Sequence, residues 1–434
     1  MSVPSGGDRA VVIARALAWL GVAGLAALTV ILYLGGDWPW PAASMLRGGV
    51  IVSSAATVAW VLASPRPTRG AAAYGVYAGA LAVCWLATPT AEASNEIARQ
   101  ATFLAVVAAA AAPFTPGPGA PARRWLLGLH VAGLVLVFVQ LPGPRSAFDH
   151  LGRAGFYHSL EQWSGYPELG LLMAAAACGL FALALAARPI AVRVAAAALA
   201  AGFTLATVFL QSRSAVVTIP IVALWLLGVA AVKWRSKLAA AGLAAATVLI
   251  VVLAIRGGGV AAIAARASEA VARETAIREQ GWTAARAMAG EHPITGIGLG
   301  GYRREYLTHY VGDDASHAYN IVLHVLAEGG AIGLVGWLAL WLRVLWVGVR
   351  GAGSTPRQAA IFALHGMLVA FLVRSQSEHF LANLATSDRT LLLLALWMGC
   401  TEGFALDARE VPSTKGQRPR HSHVPTPNDP GGPA

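Results

Sequence analysis

Twelve stretches of this chain are long and apolar enough to cross a lipid bilayer as helices, and this limits the fold more than any other feature. A spanning helix needs about 18 or more mostly apolar residues. The stretches lie at about 11–35, 47–64, 71–89, 100–116, 125–142, 166–187, 190–211, 214–232, 238–256, 321–349, 357–377 and 389–406. Backbone groups in lipid must be satisfied inside the structure, so only helices or closed barrels span. The runs are uninterrupted and lack a two-residue alternation, which selects helices. Composition agrees: 57% of residues are hydrophobic and 12% charged, about half the charged share of a soluble domain. The expected fold class is an all-α polytopic membrane protein with about 12 transmembrane helices.

Basic residues orient the spans. With an internal N-terminus, Arg66, Arg69, Arg123, Arg124, Arg188, Arg193, Lys233, Arg235, Lys237, Arg343, Arg350 and Arg357 all fall on the cytoplasmic side, as the positive-inside rule requires. Both termini are then cytoplasmic. The first apolar run is too long for a cleaved signal peptide and reads as a retained helix. Residues 1–256 hold transmembrane helices 1–9, with an outer loop near 143–165. Residues 257–320 form a large outer loop with helices, 321–407 hold transmembrane helices 10–12, and 408–434 form a disordered cytoplasmic tail rich in Pro, Gly and His. Cys84, Cys178 and Cys400 fall inside spans and read as small packing residues.

The outer side carries arginine and no lysine. Arg153, Arg213, Arg278, Arg286 and Arg374 are among the residues assigned there. Arginine keeps its charge and presents a fixed fork of donors that matches phosphate. A phosphorylated or otherwise anionic partner is therefore expected on that side; a genome that favours arginine codons is the competing explanation. No nucleic-acid partner is expected.

The first half of the large loop, VAAIAARASEAVARETAIREQGWTAARAMAG, has helical spacing. Glu269/Arg273 and Glu274/Arg278 stand four apart, as on a solvated helix. Arg278, Trp282 and Arg286 share a face, and Gly290 and Pro293 end the helix. The following GIGLGG at 296–301 imitates a dinucleotide fingerprint but neither follows a strand nor opens a βαβ unit. Its glycines are expected to shape a tight turn near the membrane. Asp313-Asp314 reads as solvated charge, with cation binding as the lesser alternative.

The stretch SHAYNIVLHVLAEGGAIGL, residues 316–334, joins a polar head to an apolar span. Read as helix over 317–328, it places His317, Asn320, His324 and Glu328 on one stripe. Ionisable groups are costly in lipid, so the stripe is expected to face a cavity at the outer mouth of the bundle. Gly329-Gly330 weakens the helix before the span. The competing reading has His317 and Asn320 capping the helix and His324 pairing with Glu328. A zinc site from His317, His324 and Glu328 lacks a further ligand cluster.

These motifs resemble the O-antigen ligase and polymerase superfamily of bacterial envelope glycosyltransferases. The resemblance is carried by Arg278, Trp282, Pro293, Gly296, Gly298, Gly300 and Tyr302, then by His317, Asn320, Glu328, Gly330 and Gly333. Arg213 in QSRSAVV, an Arg after a Ser at the start of a span, adds to it. One position departs: such ligases place His directly before the Asn, and here Tyr319 stands in that slot. His317 is taken for the histidine's role.

The resemblance implies a fold similar to C-type (GT-C) glycosyltransferases and an active site facing the periplasm in the bacterial inner membrane. The implied reaction is an O-antigen ligase's metal-independent, inverting transfer of polysaccharide from undecaprenyl diphosphate to a lipid A–core sugar hydroxyl, with no cofactor. His317, Arg278 and Arg213 would be catalytic. Arg153, Tyr319, Asn320, Trp282 and Arg286 would bind substrate, and no residue would bind metal. An O-antigen or capsule polymerase, with a second lipid-linked glycan as acceptor, is the alternative. A protein-glycosylating oligosaccharyltransferase usually carries a further outer domain. A transporter or flippase would show paired repeats and broken helices in both halves, which are not found.

Overall fold

The computed structural model describes residues 71–111, 166–209, 213–234, 268–310, 317–376 and 388–407. They form ten helices and, among the described residues, no strand. In chain order these are α1 (Ala71–Ala87), α2 (Ala91–Ala111), α3 (Tyr166–Ala186), α4 (Ile190–Phe209), α5 (Arg213–Trp234), α6 (Ser268–Glu291), α7 (Tyr302–His309), α8 (Ile321–Gly351), α9 (Pro356–Arg374) and α10 (Asp388–Asp407). Four have the length and apolar composition to cross a membrane: Ile190–Thr207, Ser214–Trp234, Ile321–Gly351 and Pro356–Arg374. The protein is a helical membrane protein. The expected spans at 11–35, 47–64, 125–142 and 238–256, the loop near 143–165 with Arg153, Asp313-Asp314 and the tail 408–434 lie outside the described residues.

Local chemistry fixes several helix ends. Asn320 caps α8, its side chain accepting from Leu323 N, and Thr355 with Gln358 forms a capping box before Pro356, which opens α9. α2 differs from expectation. It begins at Ala91, well before the apolar run at 100–116. Its first half is polar, and protein covers one face of it. Gln100 accepts from Tyr77 Oη at 2.9 Å and donates to Glu96 at 2.7 Å, and Arg99 lies 3.3 Å from Glu96. Glu96 and Gln100 are buried, and satisfied polar groups of this kind are tolerated inside a bundle.

α3 packs between α4 and α9, α2 lies against α10, and α1 lies along α8. α3 turns a run of buried small residues inward, Ala174, Ala175, Ala176 and Ala177. Small side chains let helices approach closely where lipid offers no hydrophobic drive for association. The core they enclose includes Trp341, Phe362, Phe371 and Trp397. Beside it lies a part-buried ion pair whose carboxylate is buried. Arg343 grips Glu402 with two bonds of 2.8 and 2.7 Å, and Tyr74 Oη donates to the same carboxylate at 3.3 Å. This ties α8, α10 and α1 together.

Arg343→Met alone should destabilise the protein by about 3–5 kcal/mol, because Glu402 is left buried and uncompensated. Adding Glu402→Leu should recover most of that loss. Thermal unfolding in detergent checks this; a double variant no more stable than the single one would contradict it.

Candidate functional site

α8 is broken at Gly330, where φ is 58° and ψ −157°, a region open essentially only to glycine. An unbroken helix would bond Ala331 N to Ala327 O and Ile332 N to Glu328 O. Here the stretch after α6 takes both rungs. Ala331 N donates to Pro293 O at 2.9 Å and Ile332 N to Ile294 O at 3.1 Å, while Ile297 N donates to Ala327 O at 2.9 Å and Gly298 N to Glu328 O at 3.1 Å. Two helical rungs are exchanged for four bonds to the turn, and Cys84 Sγ reaches Gly329 O at 3.3 Å. The backbones meet so closely that a Cβ on Gly296 would lie 2.3 Å from the Glu328 carbonyl carbon.

The Glu328 side chain completes this clasp. One carboxylate oxygen accepts from Gly300 N at 2.9 Å and the other from Tyr302 N at 3.0 Å. The group is buried, and His324 Nε2 stands 3.4 Å away. The carboxylate therefore holds the start of α7, and the glycine run 296–301 is the expected tight turn with a second backbone as its partner.

The clasp presses α6 and α7 onto the head of α8. Tyr302 Oη donates to Gly281 O at 2.8 Å. Ala284, Ala285, Met288, Tyr302, Tyr306, Ala318 and Ala327 form one buried cluster. Arg278, on the same helix, puts its guanidinium 5.7 Å from the Tyr319 ring centroid, within cation–π range. The Tyr319 and His317 rings are 3.9 Å apart. Three residues the sequence singled out, Arg278, His317 and Tyr319, thus meet at one point.

The continuous helix expected over 317–328 is not formed: α8 starts at Ile321. Tyr319 has φ 47°, the left-handed region that costs a tyrosine on the order of 1–3 kcal/mol, and the chain turns sharply there. His317 is therefore off the helical stripe. Asn320 is the N-cap, and its Nδ2 donates to Gln376 O at 3.3 Å. His324 and Glu328 are on the helix but serve the clasp, where a cavity lining was expected.

The other candidates stand as follows. Arg213 is the first residue of α5. Trp282 is one turn beyond Arg278, with its indole nitrogen buried. Arg286 is exposed and folds back, Nε to Trp282 O at 3.2 Å. Glu269, Arg273 and Glu274 lie on α6.

His317 is buried, and burial, then the neighbouring His324 and Arg278, pushes its imidazole down to about 3. The ring is neutral at neutral pH. It is a proton acceptor whose basicity rises when an anion neutralises Arg278. The site joins a fixed cation, a neutral imidazole and a phenol at the head of a membrane helix. That set suits binding an anion and taking a proton from a hydroxyl beside it.

Residues 195–338 match the family model described as O-antigen ligase. The match begins within α4 and ends within α8, so it takes in Arg213, Arg278, His317, Tyr319 and the whole clasp. No curated protein matches the chain.

Gly330→Ala should break the clasp, since its Cβ would lie 2.4 Å from the Ile294 carbonyl carbon. Thermal stability should fall by roughly 1–3 kcal/mol or more, and protease should cut faster between 291 and 302. Gly75→Ala, where a Cβ meets nothing within 4 Å, should be neutral or stabilising by up to about 1 kcal/mol. Equal behaviour of the two variants would contradict the clasp.

Proposed function

We propose that this membrane protein, which carries an O-antigen ligase family domain at residues 195–338, is an O-antigen ligase. It would transfer polysaccharide from undecaprenyl diphosphate to a sugar hydroxyl of lipid A–core, on the periplasmic side of the inner membrane. The observation that carries this reading is the meeting of Arg278, Tyr319 and His317 at the head of α8, inside the family-matched segment.

The chemistry follows from these residues. Breaking the glycosyl–phosphate bond leaves its electron pair on the diphosphate, and negative charge builds on the leaving oxygens. Fixed cations aimed at that charge lower the barrier, which is the role proposed for Arg278, with Arg213 and Arg153. The acceptor oxygen bonds to the anomeric carbon from the opposite face and gives its proton to His317. Burial and then His324 depress His317 more than Arg278 does, so a diphosphate beside Arg278 would offset only the smallest of the three causes. Tyr319, Asn320, Trp282 and Arg286 are proposed to bind substrate. Because arginines supply the positive charge, transfer is expected to need no metal or cofactor. The outer placement of 257–320, the cytoplasmic tail and the GT-C-like fold belong to the same proposal.

A polymerase would use the same donor chemistry on a lipid-linked acceptor. Deleting the gene in its own host separates the two by lipopolysaccharide gel. Loss of all laddering, with glycan kept on undecaprenyl diphosphate, marks a ligase. A single repeat on the core marks a polymerase, and normal laddering sinks both.

Further outcomes are expected in a transfer assay. Arg278→Lys should lose at least about thirtyfold, since an ammonium cannot replace a bidentate fork at a desolvated charge pair. Activity should survive EDTA, and loss restored by magnesium would refute metal-independence. His317→Ala should lose roughly 10²- to 10⁴-fold, and Tyr319→Phe less; the reverse order would give Tyr319 the base's role. The acid limb of kcat/KM should lie below the ordinary imidazole value near 6.5, because the folded protein holds His317 neutral down to about 3. An acid limb at 6.5 that vanishes in His317→Gln would contradict this.

A further inference from the structure

The end of α8 opposite the candidate site carries an apolar stripe that finishes on a charge. Val335, Leu338, Leu342 and Trp346 are exposed and stand three or four residues apart, so they form one face of the helix. Arg350, four residues beyond Trp346, continues that face, and its guanidinium lies 4.3 Å from the Trp346 ring centroid. An exposed tryptophan beneath an arginine, at the end of an apolar stripe, suits the headgroup level of a bilayer.

Two more cations are fixed at the same place. Lys233, near the end of α5, donates from Nζ to Val349 O and to Arg350 O, both at 2.6 Å. Arg188, just after α3, donates from Nε to Ser354 Oγ at 3.2 Å, in the turn between α8 and α9. Lys233, Arg350 and Arg188 are exposed. Val232, beside Lys233, and Ile190, two residues after Arg188, are also exposed. The bonds of Lys233 and Arg188 go to neutral oxygens, so they place the cations without neutralising them, and the charges of Lys233 and Arg350 are close enough to repel. The sequence has no Asp or Glu between Glu168 and Glu269 or between Glu328 and Glu378. Helices α4, α5 and α9, the second half of α8 and the α8–α9 turn therefore supply no carboxylate, and Glu402 of α10 is gripped by Arg343. Orientation by the positive-inside rule asks only for charge in a loop. It does not ask for three cations gathered around one turn beside an exposed apolar face.

We propose that the α8–α9 turn binds the phosphate headgroup of an anionic phospholipid, with Arg188, Lys233 and Arg350 on the phosphate and Trp346 and Val232 against the acyl chains. Cations at a membrane edge recognise such headgroups through charge and donor geometry. The lipid comes from the leaflet opposite the candidate site. The proposal is independent of the transfer reaction, since Arg278 and His317 stand at the other end of α8.

The full chain in detergent micelles, titrated with phosphatidylglycerol or phosphatidylcholine and followed by native mass spectrometry, tests this. Phosphatidylglycerol should bind at least about tenfold more tightly than phosphatidylcholine. Each cation beside an anionic headgroup contributes about fivefold. Arg188→Gln and Arg350→Gln together should therefore weaken phosphatidylglycerol by at least about tenfold and leave phosphatidylcholine unchanged. Arg303→Gln, on α7 at the other end, should stay within twofold of wild type. Equal binding of the two lipids by wild type, undiminished phosphatidylglycerol binding in the double variant, or an equal loss in Arg303→Gln would overturn the proposal. So would inorganic phosphate displacing the lipid at equal concentration, which marks a site for free anions. A second measurement needs no variant: phosphatidylglycerol with a photoreactive headgroup should label wild type within residues 346–355. Labelling confined to other segments would contradict the proposal even if the double variant failed to accumulate.

Discussion

The break in α8 at Gly330 is the constraint on which the site depends. A membrane helix normally satisfies its own backbone, and opening two rungs inside one would be costly by itself. Here the carbonyls of Ala327 and Glu328 and the N–H groups of Ala331 and Ile332 are all taken up by residues 293–298. The turn and the broken helix satisfy each other, so neither is stable in this form alone. That exchange, with the Tyr302 Oη–Gly281 O bond and the buried cluster around Tyr302, holds α6 and its Arg278 at the head of α8.

This arrangement explains why the polar residues at the edge of the span divide into two sets. Glu328 and His324 lie within the helix and fasten the turn, Glu328 through two backbone N–H groups. His317 and Tyr319 lie before the helix, in a sharp bend with a left-handed tyrosine, and face Arg278. The first set positions the turn, and the second set is the one to which the proposed function assigns the chemistry. Asn320 stands between them as the cap that starts the helix and as a tie to Gln376.

Hydropathy placed eight described helices, because apolar length is a strong local signal: α3 begins at Tyr166 and α8 at Ile321, where the apolar runs begin. It missed the start of α2, since Glu96, Arg99 and Gln100 look like a loop until Tyr77 is known to bond Gln100 and the three to bond one another. The glycines of 296–301 and 329–330 were legible as places where the backbone bends. That they bind each other was not, because the two runs are about thirty residues apart and spacing carries no record of a contact between them. The helix over 317–328 failed at Tyr319, whose side chain gives no hint of a positive φ. Arg278, His317 and Tyr319 were legible through resemblance. Arg374 was legible only as one more outer arginine; its burial and its bond to Ser214 were not.

Hydrogen exchange of the wild-type protein in lipid nanodiscs tests the clasp most directly. The amides of Ile297, Gly298, Gly300 and Tyr302 lie in an irregular turn outside any helix or at its first residue, where exchange is ordinarily fast. The clasp predicts that they exchange slowly, together with Ala331 and Ile332, as one cooperative unit. Rapid exchange of 297–302 beside a protected 331–332 would mean that α8 closes its own rungs, and would contradict the account.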